Sequence, residues 1–172
     1  MRSKNYRAVK GQSYTRKEFV KGFPAPKINK FTMGDTKAKF EIEGRLIALE
    51  RAQIRHNSLE AARVATNRVL MEKLVNSYFM HVHPYPHTIL RENKMIFGAH
   101  ADRLQDGMRR SFGKPIGTAA RVEPNQTIIT VRVNANAAEI AKESLKRGGA
   151  KLPIPCRIII EPISTKQVNH VA

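Results

Sequence analysis

From Lys39 the chain reads KFEIEGRLIALE. Phe40, Ile42, Leu46 and Ala48 fall on one face of an extended segment and charged residues fill much of the other, an alternation that predicts a half-buried strand. The apolar spacing then changes to that of a helix. Leu59, Ala62, Ala65 or Thr66, Val69 and Leu70 share one face of a helix predicted over 58–74, with Asn57 and Glu60 spaced as a capping box. Arg63 and Arg68 are expected nearer the solvent, and the alanines would let the helix lie close to a sheet.

Tyr78 to His83 and Thr88 to Leu90 read as short strands interrupted by Pro84 and Pro86, the mark of a sheet edge or bulge. Residues 117–122 and 127–133 look like an antiparallel pair joined by the turn residues Glu123, Pro124 and Asn125. Asn136 and Glu139 repeat the capping-box spacing before a second helix predicted over 137–146, with Gly148 and Gly149 as its stop signal. A last strand is expected over 156–161. The order predicts an α+β fold in which both helices cover one face of a single, mostly antiparallel or mixed sheet. Residues 39–163 form the domain, interrupted by a flexible basic loop at about 95–115. Residues 1–38, which show no sustained period, read as an extended basic arm, and 164–172 as a short polar tail.

Composition sharpens this outline. With 172 residues, 41% of them hydrophobic, the chain can bury a real core. No apolar run approaches the ~20 residues a membrane span needs, and the first residues lack the apolar segment of a signal peptide, so a soluble intracellular protein is expected. The single cysteine, Cys156, suits a reducing compartment and reads as a small buried hydrophobe. Net charge is +17 and unevenly spread: residues 1–39 hold eleven Lys/Arg against two Asp/Glu, residues 91–121 seven against three, and residues 40–90 six against five. Localised positive charge favours a phosphate backbone, because each neutralised phosphate releases condensed counterions.

The candidate binding residues follow from that distribution. In the arm they are Arg2, Lys4, Tyr6, Arg7, Lys10, Tyr14, Arg16, Lys17 and Lys21. Tyr6, Tyr14, Phe19 and Phe23 could stack on bases while Lys and Arg pair with phosphates, or could instead pack the arm onto the domain. In and around the loop the candidates are Arg91, Lys94, Arg103, Arg109, Arg110, Lys114 and Arg121.

Catalytic readings are weaker. His81, His83, His87 and His100 lie within twenty residues of one another, but no CxxC pair accompanies them. GMRRSFGKP has the wrong spacing for a phosphate-binding loop and follows Lys114 with Pro115. His100, Asp102 and Asp106 could support metal-assisted RNA cleavage, yet local pairing with Arg103, Arg109 and Arg110 explains the aspartates more simply. No second helix follows the first closely enough for a helix-turn-helix. No catalytic residue, metal or cofactor is expected. The alternatives to an RNA-binding structural protein are a metal-assisted RNA-processing enzyme and a free-standing nucleic-acid-binding regulator.

Longer strings carry a resemblance. QIRHNSLEAARVATNRVL, PHTILRENKM and GAHADRLQDGMRRSFGKPIGTAARV closely resemble the archaeal and eukaryotic large-subunit ribosomal protein family called ten-e, counterpart of bacterial large-subunit protein sixteen. YRAVKGQSYTRKEFVKGFPAPKI is similar to its N-terminal arm. The resemblance covers about residues 5–163 and looks more archaeal than eukaryotic. It implies an α/β sandwich of the hammerhead type and a non-enzymatic role in the large subunit, in the cytoplasm. The implied partners are large-subunit ribosomal RNA, the small ribosomal RNA of that subunit, aminoacyl-site tRNA and neighbouring ribosomal proteins, with no membrane. Residues 98–114 would correspond to a flexible loop pointing toward the peptidyl-transferase region, with Arg103, Arg109, Arg110 and Lys114 on phosphates. The QIRHN string places Arg55 and His56 at the mouth of the first helix, where the helix N-terminus also favours phosphate.

Overall fold

The structure, a computed structural model, describes residues 4–96, 98 and 107–163. The strands are β1 (Thr32–Gly34), β2 (Ile42–Ala48), β3 (Ala52–Arg55), β4 (Phe79–Val82), β5 (Thr88–Glu92), β6 (Lys114–Val122), β7 (Thr127–Val133) and β8 (Cys156–Pro162). A short α1 (Lys4–Arg7) precedes two longer helices, α2 (His56–Leu74) and α3 (Ala138–Gly149). The α+β class is as expected, and every strand pairing described is antiparallel.

The strands build two sheets rather than one. A five-stranded sheet runs β1-β4-β7-β2-β8, and a three-stranded sheet runs β3-β6-β5. The expected pairing of 117–122 with 127–133 therefore does not form. β6 lies between β3 and β5, while β7 lies between β4 and β2. The reason is local: the Glu123–Gln126 turn, with Asn125 at φ 64°, carries the chain from the small sheet to the large one. The β2–β3 link, residues 49–51, crosses beside it in the opposite direction. Ala48 is bonded to both Asn125 (2.8 Å) and Gln126 (3.0 Å), and Arg51 pairs with Glu123 at 2.9 Å, so the two crossings form one laced corner.

The large sheet presents Gly44, Leu46, Met80, Val82, Ile129, Val131 and Val133 inward, all buried. α3 packs on this face through Ala141 and Leu145, and Gly44 leaves room for it: a Cβ there would meet Leu145 at 3.0 Å. α2 packs on α3 and touches β3 and β6. Gly148 and Gly149 do not stop α3; they lie inside it. Gly148 faces α2, and a Cβ at this position would lie 2.2 Å from Thr66 Oγ1. The two helices approach closely because that side chain is missing.

Neither expected capping box forms. α2 begins at His56, and Glu60 turns instead to Arg63, which donates to it at 2.8 and 2.5 Å. Arg63, expected near solvent, is 16% exposed and rests against Met33. At α3, Glu41 accepts the Ala135 N–H at 3.1 Å in place of the Asn136–Glu139 box.

The stretch 1–38 lacks a repeating pattern but contributes isolated apolar anchors. Ile28 is 1% exposed within the main core, β1 pairs with β4, and Tyr6 packs with Leu90 and Ala119. Strand β6 starts at Lys114, so the end of the expected loop is extended structure. Cys156 is only half-buried at the core's edge, and burial pushes its thiol pKa up.

Candidate nucleic-acid interface

The N-terminal stretch runs along the small sheet. Tyr14 O accepts the Ile89 N–H at 2.7 Å, Ser13 bonds Thr88 at 2.7 Å, Gln53 donates to Tyr6 O and Ala8 O, and Arg121 donates to Gly11 O at 3.0 Å. The basic loop leaves the same sheet between β5 and β6. Two cationic segments far apart in sequence thus converge on one small sheet.

Several candidate residues work inside the protein at this junction. Tyr6 is buried, and burial together with the nearby Glu92 carboxylate pushes its phenol pKa up to about 12, so it packs the chain rather than offering a ring to a base. His56 is also buried. Its Nδ1 accepts the Lys27 N–H at 2.9 Å, and burial, then Arg55 and Lys27, hold its pKa below the usual imidazole value. The proton of this neutral ring is therefore on Nε2. Arg55 is partly buried, and its Nε has no hydrogen-bond partner among the described residues. Arg7 pairs with Glu50 at 2.5 Å, and Arg121 also donates to Gln53 Oε1. Arg91 donates to Phe112 O (3.1 Å) and Gly113 O (2.5 Å) and lies 3.9 Å from the Phe112 ring centre.

Among the candidate cations, Lys10, Arg16, Lys17, Lys21, Lys94, Arg109 and Lys114 face solvent. Arg16 and Lys17 lie over Phe19 and Phe23 at 5.9 and 5.7 Å. Tyr14 is half-exposed, edge-on to Phe112 at 5.5 Å. Arg2, Arg103, His100, Asp102 and Asp106, and the side chains of Lys4 and Arg110, lie outside the described residues. Sequence reasoning passed over Phe112, an aromatic beside a glycine in a basic loop, which was the available signal.

The strand histidines hold the large sheet's outer face together. His81 Nδ1 bonds Thr32 Oγ1 at 3.1 Å, His83 Nε2 bonds Thr130 Oγ1 at 2.6 Å, and the two rings meet edge-on at 4.6 Å. His87 lies against Tyr85. Among the described residues no group of three or more His, Cys, Asp or Glu could hold a metal, and no helix is long and apolar enough to cross a membrane.

Fold and site together define a class, an α+β domain in which some arginines hold the backbone of a small sheet while other lysines and arginines leave positive charge on the surface. Comparison with known proteins narrows it. Residues 9–159 match the family described as Ribosomal protein L16p/L10e, and the chain belongs to that family. It is 52% identical over 161 residues to large ribosomal subunit protein uL16 of Saccharolobus solfataricus, covering 92% of this chain and 90% of that one. The uL16 of Hyperthermus butylicus is 51% identical over 158 residues (91% and 88% covered), and that of Picrophilus torridus 49% over 156 (90% and 89%). Membership of a ribosomal-protein family bears out the resemblance and the expectation of a non-enzymatic chain.

Proposed function

We propose that this chain is a structural constituent of the large ribosomal subunit. It binds large-subunit ribosomal RNA through the arm and loop that meet on the small sheet, and its basic loop lies toward the aminoacyl-tRNA path. The convergence of those two segments carries the reading. Charge collected at one end of a folded domain grips an irregular RNA surface by shape and phosphate contact, without groove readout. The family of uL16 relatives supports the subunit assignment.

Sedimentation of cell extracts through sucrose tests the assignment. The tagged chain is expected to travel with large subunits, and recovery only as free protein would overturn it. The tRNA-path component is tested by replacing residues 98–114 with a short glycine linker. Subunits should still assemble but should accept aminoacyl-tRNA more slowly; unchanged accommodation would remove the loop from that path.

A further inference from the structure

Tyr14 and Phe112 are large aromatic residues left 51% and 59% exposed. Their rings meet at 73° with centres 5.5 Å apart, forming a corner between the arm and the loop base. Both sides are pinned. Tyr14 is held to β5 through its carbonyl on the Ile89 N–H, with the neighbouring Ser13 on Thr88. Phe112 is held by Arg91, whose guanidinium lies against the ring and binds the carbonyls of Phe112 and Gly113. The turn itself admits only glycine at 113, where φ is +72° and a Cβ would lie 2.5 Å from the Glu92 carbonyl carbon. Arg109 and Lys114 are exposed on either side in sequence. A rigid aromatic corner flanked by cations is the arrangement that holds an unpaired nucleotide: the base stacks at low entropic cost while the flanking charges take its phosphates.

We propose that the Tyr14–Phe112 corner is a stacking site for one unpaired RNA base. This rests on the ribosomal reading above and deepens it. Because stacking barely depends on salt whereas phosphate contact does, the two contributions separate in one titration.

The full chain contains no tryptophan, so Phe112→Trp keeps a ring and adds a reporter. Its fluorescence should be quenched by hexauridylate and much less by an abasic hexamer carrying the same phosphates. Phe112→Leu, at an exposed position and checked for an unchanged melting temperature, should weaken hexauridylate binding roughly 10- to 100-fold at every salt concentration without altering the salt slope. Abasic binding should be unaffected. An apolar peptide partner would accept leucine in place of the ring. Equal hexauridylate affinity in Phe112→Leu, or equal quenching by the abasic strand, overturns the stacking site while leaving phosphate binding intact. No hexauridylate binding by the unaltered chain, even at low salt, overturns the stacking site and removes phosphate gripping with it, whereas sedimentation with large subunits reads the subunit assignment independently.

Discussion

At the scale of single residues, burial and hydrogen bonding turn Tyr6, His56, Arg91 and Arg121 toward the protein's own backbone and core. The sequence identifies Tyr6, His56, Arg91 and Arg121 as aromatic or basic groups in basic surroundings, but whether such a group faces RNA or its own chain depends on neighbours dozens of positions away. Tyr6 is covered by Leu90 and Ala119, and His56 by its bond to Lys27. His56 gives a measurable consequence. Its pKa is depressed in the folded protein, so the unfolded chain, near the ordinary ~6.5, takes up the proton more readily. The stabilisation is fully present above that value and is lost as the pH falls below it. Urea unfolding at pH 7.5 and 5.5 should show lower stability in acid, and His56→Gln should shrink that difference. His83, also held low by burial and by His81, accounts for part of what remains. An undiminished difference in His56→Gln would show that the ring is not the titrating group.

Elements were read best where one face repeats. α2 and β7 are found close to their expected spans, because amphipathic spacing is written into contiguous residues. β1 and β3 were passed over, each too short to show a period. The β6–β7 mispairing has a different cause, since an alternating strand reads the same whichever partner it takes. Gly148 shows how a helix-ending signal can belong to packing. Gly148→Ala should lower the unfolding free energy by about 1–3 kcal/mol through overpacking against Thr66. Thr66→Ala should recover part of it, because the Thr66 hydroxyl is buried with no hydrogen-bond partner among the described residues and its removal clears the clash. Equal urea midpoints for Gly148→Ala and the parent would mean that the helices can separate at no cost.

For the whole molecule, the division of labour among cations decides what charge changes do. Lys10, Arg16, Lys17 and Lys21 face solvent, so replacing all four with glutamine should leave the melting temperature nearly unchanged. The slope of log affinity for ribosomal RNA against log salt should become shallower by up to about 3. Replacing Arg91 and Arg121 should instead destabilise the small sheet, where both hold backbone carbonyls. A slope unchanged after the fourfold replacement would show that the arm makes no phosphate contact. The laced corner at Ala48, Arg51, Glu123 and Asn125 bears on the same division. Two of the three direct strand crossings between the sheets pass through it side by side, the third running from β4 to β5 through residues 83–87, so the small sheet is tied to the large one at this corner. A pull exerted where the arm and loop emerge would reach the five-stranded slab through that corner, as load passes through a bracket.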